Sequence, residues 1–250
     1  MDPNWLIPDW DVPGVGAVMT TRRGGFSAAP FDSMNLRAEV GDDPLAVRRN
    51  QALLAQAIGA MPVYLNQVHG ARVVRLGPAD IAPGAAVHDA DASVSTEPRI
   101  ACTAQVADCL PVLFAAPGGV AAAHAGWRGL AAGVVEATVA ALCDAAGCTR
   151  GQVQAWLGAC IGPQRFEVGA DVLRAFGAAE DAVDPSRFKP HAPGKWLANL
   201  PLLARDRLQA CGVLSVGGGR WCTVDNASRF FSFRRDRITG RMVAAVWLCR

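Results

Sequence analysis

Two histidines and one cysteine stand in settings that suit a metal: Gln67-Val68-His69, Asp108-Cys109-Leu110-Pro111 and His124-Ala125-Gly126-Trp127-Arg128. Imidazole and thiolate are ligands that a borderline-soft divalent ion prefers. Three protein ligands leave a fourth position for water or substrate, as catalytic rather than structural zinc sites do. Each of the three closes an apolar run beside Gly, Pro or Asp, where a strand can hand its last side chain to a cleft. The same residue types also have an ordinary reading as core residues that fill apolar space. A competing chemistry is nucleophilic, with Cys109 as thiolate and His69 or His124 as its base, acting on an amide or ester. Two histidines around one cysteine exceed the needs of a dyad and match those of a three-ligand metal, which favours the metal.

The flanking segments must position these side chains. Residues 62–68 and 71–76 read as strands on either side of a turn at His69-Gly70. Two apolar runs, 100–106 and 111–116, are split by Ala107-Asp108-Cys109-Leu110, and a Gly118-Gly119 turn leads into a strand over 120–124. Cys109 and His124 are thereby expected at the edges of neighbouring strands. Beyond Gly129 the period becomes helical, with Leu130, Val134, Thr138 and Leu142 on one face until Gly147 stops it. The free N–H groups at the start of that helix, expected near Leu130, together with Arg128 offer an anion pocket, beside the equal alternative of a surface arginine at an ordinary strand-to-helix turn.

Further along, 153–158 reads as a strand, 168–176 as a short helix and 180–195 as an exposed loop. A longer amphipathic helix over 197–211 ends at Gly212, and two strands, 229–234 and 241–248, close the chain, the last central to a sheet. Strands that occur both in hairpins and before helices imply an α+β fold, a mixed β-sheet with helices packed on it. No linker interrupts the chain, so residues 1–250 form a single domain.

Composition sets the class of object. At 250 residues and 51% hydrophobic, the chain can bury a large core. A net charge of +2 without basic runs excludes an extended nucleic-acid surface. Of the 24 basic residues only Lys189 and Lys195 are lysine, an arginine bias without functional weight of its own. No apolar run is long enough to span a membrane, and the first residues lack a signal-peptide pattern, so the expected location is the cytoplasm. The eight cysteines, scattered through a core-rich chain, read as reduced thiols. Cys222 and six others are assigned structural roles.

Ordered motifs carry a resemblance. Thr20-Thr21-Arg22-Arg23-Gly24-Gly25-Phe26-Ser27, Met34-Asn35-Leu36, Gln67-Val68-His69-Gly70, Asp89-Ala90-Asp91-Ala92, Ala107-Asp108-Cys109-Leu110-Pro111-Val112, His124-Ala125-Gly126-Trp127-Arg128-Gly129, Gly162-Pro163 and Phe231-Ser232-Phe233-Arg234-Arg235-Asp236 resemble the YfiH family of bacterial proteins. The resemblance implies a three-layer α/β/β arrangement. It further implies a purine nucleoside phosphorylase that also deaminates adenosine and cleaves methylthioadenosine, with zinc on His69, Cys109 and His124. The family has also been named laccase-like or polyphenol oxidase, and one branch is linked to peptidoglycan editing.

These alternatives make different demands. A multicopper cluster needs more imidazoles than His69, His88, His124 and His191 supply, although a single copper can occupy the same three ligands. A cysteine hydrolase acting in peptidoglycan-precursor editing needs only Cys109 and one histidine, and a binding module needs no turnover at all. Deamination calls for a metal-activated water and a proton shuttle, for which Asp108 or Asp91 is the candidate. Phosphorolysis calls for a phosphate held at C1′ of the ribose by arginine or N–H donors, with Arg22, Arg128, Arg234 and Arg235 as candidates. Asn35 and Gln67 are candidates to hydrogen-bond ribose or base.

Overall fold

An apolar run that does not alternate needs cover on both faces of its strand, and this chain supplies it by stacking two sheets between helices. The structure, a computed structural model, describes residues 2–10 and 12–249. In chain order these form β1 (Val15–Met19), α1 (Pro44–Ile58), β2 (Met61–Val63), β3 (Val73–Leu76), β4 (Ala92–Ser95), β5 (Ile100–Val106), β6 (Leu110–Ala116), β7 (Gly119–Ala125), α2 (Trp127–Ala131), α3 (Val134–Ala146), β8 (Gln154–Leu157), β9 (Glu167–Val168), α4 (Ala170–Ala175), β10 (Phe188–Ala192), β11 (Lys195–Ala198), α5 (Leu200–Ala210), β12 (Ser215–Gly218), α6 (Phe233–Asp236) and β13 (Met242–Leu248).

A six-stranded mixed sheet runs β12-β8-β6-β7-β4-β3, and a four-stranded one β1-β13-β5-β2. A small third sheet has the order β10-β11-β9. Every residue of β5, β6 and β7 is buried, and strand pleating sends alternate side chains to different cores. Leu110, Val112 and Phe114 face a core shared with Val135 and Leu142 of α3 and Leu203 of α5. Leu113, Val120 and Ala122 face the other way, onto Ile100, Cys102, Met242 and Ala244 of the four-stranded sheet. The outer face of that sheet, with Val18, Ala101 and Val243, is covered by Leu54 and Ile58 of α1. The fold is α+β in α/β/β layers, with α1 added as cover on the far side.

Several expectations need correction. Residues 62–76 do not form two long strands around a turn: β2 joins the four-stranded sheet parallel to β5, and β3 joins the six-stranded sheet parallel to β4. The intervening segment crosses from one sheet to the other and carries His69 with it. The single helix expected from Leu130 is two, broken at Gly133, whose φ of 92° lies in the left-handed region. Residues 229–234 are not a strand; Ser232 instead caps α6, its side chain accepting from Arg235 N–H. Within 180–195, expected as a loop, lies β10, paired antiparallel with β11. The short helix is confined to α4, with β9 before it. The longer helix begins later than expected, at Leu200, because Asn199 caps it and β11 occupies the preceding residues.

The expectation for β13 holds. It lies between β1 and β5, antiparallel to both.

Candidate metal centre

The antiparallel register of β6 and β7 sets Leu110 opposite Ala125 and Pro111 opposite His124. Cys109, just before β6, therefore stands beside the end of β7. His124 shares strand parity with Val120 and Ala122 and so faces the space between the sheets, 3% exposed. His69 arrives from the crossing segment in a left-handed backbone conformation, φ 62°. The ligand atoms of the three residues lie within 4.8 Å of one another. Sγ of Cys109 is 3.8 Å from Nε2 of His69. A tetrahedral zinc with its usual bond lengths would hold sulfur and nitrogen about 3.6 Å apart, so the donor set and its spacing fit such an ion. Among the described residues this is the one group of its kind.

Asp91 organises the group. Its Oδ1 accepts from Nδ1 of His124 at 2.8 Å and from the His69 N–H at 2.9 Å. Its Oδ2 accepts from the N–H groups of Gly70 at 2.7 Å and Val68 at 3.2 Å. Burial would raise this carboxyl, but the bonds from His124 and Gly70 outweigh it and hold its pKa below the ordinary 3.8. One carboxylate thus fixes the strained backbone that presents His69 and turns Nε2 of His124 towards Cys109. That is the arrangement by which an outer carboxylate orients a metal-binding imidazole. Gly126 gives the ligands room, since a Cβ there would stand 3.0 Å from both Sγ of Cys109 and Cδ2 of His69 and press on them.

The side chains are also poised electrically. Burial would raise the Cys109 thiol, but the charge of His124 and hydrogen bonds from both histidines outweigh it and bring it down to about 6. Burial likewise opposes the His124 charge, yet Cys109 and Asp91 carry it up to about 9. These shifts favour a Cys109 thiolate beside a His124 imidazolium, and Cys109–His124–Asp91 has the connectivity of a nucleophilic triad. Alkylation follows from this: after chelation, iodoacetamide is expected to modify Cys109 ahead of the other seven cysteines, whereas metal-loaded protein resists. Equal modification with and without chelator, read by peptide mass spectrometry, would remove the metal from Cys109.

The three residues stand where two cavities meet. Both are lined by His69, Ala107, Cys109 and Phe233. One, about 190 Å³, is walled by Trp127, Ile161, Phe166 and Leu200. The other, about 380 Å³, is polar, with Arg37, Glu39, Gln67, Gln105 and Arg241.

The candidate residues distribute unevenly over this site. Arg128 and Arg234 line the aromatic cavity. The guanidinium of Arg128 lies 4.3 Å from the Trp127 ring centroid. It sits in the first turn of α2, which starts at Trp127 and spans five residues, so the helix it was expected to precede begins earlier and is short. Arg234 donates from Nη1 to the Glu167 carbonyl and lies 5.5 Å from the Phe166 centroid. Asp108, at φ 103°, also lines this cavity, but Oδ1 accepts from Thr223 Oγ1 and Oδ2 from the Arg234 N–H, both at 2.6 Å. Its two oxygens anchor the start of α6 to the start of β6, whereas Asp91 accepts four bonds that organise the ligand group.

Gln67 faces the polar cavity, its amide paired with the backbone of Gln105. Asn35 is fully buried and bonds within the protein. Arg235 holds the carbonyls of Thr223, Val224 and Phe230. Arg22 lines a separate cavity with Asp32 and Ala227, which it also binds. Arg22, Asn35 and Arg235 are thus not gathered around the metal group. Arg37, Arg241 and Phe233 are, and the sequence reading missed them as site residues. His88 bonds Asp80 at 2.7 Å and His191 lies 3.6 Å from Glu167, so the imidazoles of a multicopper cluster are not assembled. All eight cysteines are free, and among the described residues no helix is long and apolar enough to cross a membrane.

Comparison with known proteins agrees with this architecture. A family model described as multi-copper polyphenol oxidoreductase laccase matches residues 16–249. A Pseudomonas aeruginosa protein named as a purine nucleoside phosphorylase is 50% identical over 98% of this chain and 98% of its own. The Escherichia coli purine nucleoside phosphorylase YfiH is 46% identical over 97% of this chain and 98% of its own. Among solved structures, a Neisseria meningitidis protein superposes with a TM-score of 0.89 at 43% identity, covering 98% of this chain and 99% of the other. YlmD from Geobacillus stearothermophilus gives 0.90 at 30% identity, covering 100% and 98%. With the His–Cys–His group seated between two sheets and the likeness running nearly end to end, the chain belongs to the YfiH family, whose domain bears the laccase description.

Proposed function

We propose that this protein is a cytoplasmic, zinc-dependent purine nucleoside phosphorylase, acting on inosine, adenosine and methylthioadenosine, with adenosine deaminase activity at the same site. The observation that carries the reading is the junction of cavities: a reactive cluster with an aromatic wall on one compartment and arginines lining both. A purine needs flat apolar faces, and phosphate needs guanidinium donors. Relatives covering nearly the whole chain carry the phosphorylase name.

In phosphorolysis a phosphate oxygen bonds to C1′ as the C1′–N9 bond breaks. The electron pair passes to the purine, and the phosphate proton ends on the base, so no oxidant is involved. Trp127 and Phe166, which line the aromatic cavity, would border the departing base and limit the water that competes with phosphate. His69, Cys109 and His124 would hold the metal, which would supply an acidified water for deamination at C6 of adenine. Copper on the same three ligands would account for oxidase chemistry without a multicopper cluster.

Inosine is expected to yield hypoxanthine and ribose 1-phosphate only when phosphate is supplied, followed by chromatography of both products. Free ribose released at the same rate without phosphate would sink the phosphorylase reading. A second reading, a cysteine hydrolase acting on an amide or ester in peptidoglycan-precursor editing, is favoured by the Cys109–His124–Asp91 connectivity. It leaves His69 without a purpose, whereas a metal uses all three. A covalent Cys109 adduct with such a substrate would decide for the hydrolase.

A further inference from the structure

Arg37 and Arg241 are remote in the chain yet line one compartment with His69, Cys109 and His124. Their meeting is built into the backbone. Leu36 N–H donates to the Arg241 carbonyl at 3.1 Å. The buried Asn35 accepts, through its one amide oxygen, the N–H of Arg37 at 3.1 Å and that of Arg241 at 2.9 Å. Its Nδ2 donates to the Arg37 carbonyl and to Asp42. Gly240 permits the approach, for a Cβ there would stand 2.8 Å from both Cβ of Asn35 and the Phe231 ring.

The protein makes little use of the two guanidiniums it has brought together. Arg241 donates from Nη1 alone, to the carbonyls of Thr239 and Gly240. Among the described residues its other nitrogens have no protein acceptor. Arg37, with a side chain 19% exposed, has Glu39 at 3.4 Å, and that carboxylate is itself 74% exposed. Burial, and after it the charge of Arg37, lower the Arg241 pKa against the opposing charges of Cys109 and Asp108, as expected of two cations sharing a cavity. Forked, hydrogen-bonding cations with free donors suit a tetrahedral oxyanion.

We propose that Arg37 and Arg241, held together by Asn35, form the oxyanion subsite that takes inorganic phosphate, in the compartment adjoining the aromatic one. The assignment rests on the phosphorylase reading and moves phosphate from Arg128, whose guanidinium stacks on Trp127, to this pair. Glu39 is the resident counterion that phosphate displaces.

The test is inosine cleavage with phosphate varied, beside calorimetric titration of inorganic phosphate into metal-loaded protein without nucleoside. Arg37→Gln and Arg241→Lys should each raise the KM for phosphate by about tenfold or more, with the inosine KM within about twofold of the parent and metal content unchanged. The lysine variant guards against misfolding, because Arg241 also supports local carbonyls. Glu39→Gln should move the phosphate KM the other way, by about threefold. If Arg128→Gln raises the phosphate KM while Arg37→Gln and Arg241→Lys do not, the subsite is overturned and the phosphorylase reading stands. If the parent cleaves inosine without phosphate, that reading falls, and calorimetry alone judges the subsite. A phosphate heat abolished by Arg37→Gln then supports it, and no heat in the parent overturns it.

Discussion

Asp91→Asn is expected to strip the centre of its metal and to destabilise the fold by on the order of 3 kcal/mol. The carboxylate accepts four hydrogen bonds, three from backbone N–H groups and one from Nδ1 of His124. An amide has one acceptor oxygen, so either orientation sets its NH2 group against donors. If His124 adapts by accepting at Nδ1, the neutral ring must carry its proton on Nε2, the atom a metal would need. Metal affinity should fall at least about 10–100-fold.

The pH dependence has a definite sign. The folded-state Asp91 pKa lies below the ordinary 3.8, so its contribution is complete above that value and lost as pH falls through the folded pKa. Denaturant midpoints of parent and variant should therefore differ at neutral pH and converge in acid. A variant that kept the parent's zinc and midpoint at pH 7 would show that these four bonds do not organise the centre.

Removing a ligand should act as sharply on metal content. The parent is expected to hold about one zinc per chain, and His69→Ala, Cys109→Ala and His124→Ala should each reduce this to a small fraction. His88→Ala and His191→Ala should leave it unchanged, because those rings are paired with Asp80 and Glu167 instead. His124→Ala should also weaken folding, since that side chain is buried and its loss removes one of the four hydrogen bonds to Asp91. Cys109→Ser separates the two chemistries: a hydroxyl is a poor zinc ligand and a poor nucleophile, so metal content is the informative quantity. Zinc retained in that variant, measured by elemental analysis, would remove Cys109 from the ligand set.

What could be read along the chain was what local pattern encodes. Continuous apolar runs announced β5, β6, β7 and β13, with Cys109 just before the start of β6 and His124 near the end of β7. The Gly118-Gly119 turn fixed these two strands as neighbours, which is enough to bring thiol and imidazole together. Gly147 marked the end of α3 through its positive φ. The break at Gly133 escaped notice because the apolar face of the helix continues across it, and β10 was obscured by the charges and prolines of an exposed hairpin.

The third ligand, its orienting acid and the two arginines depend on longer connections. His69 reaches the site only because the chain between β2 and β3 passes from one sheet to the other, and no periodicity reports a change of sheet. The role of Asp91 is a set of hydrogen bonds across more than twenty residues. Arg37 and Arg241 lie on opposite sides of the chain's length and meet through Asn35, which the sequence offers as a ribose or base contact and which the fold uses to hold two backbone segments. By itself the sequence determined the chemistry available, two imidazoles and a thiolate, because residue type and strand ends are local properties. Only the tertiary structure decided how that chemistry is oriented and which charges face it, because those follow from contacts between segments that a linear pattern leaves unrelated.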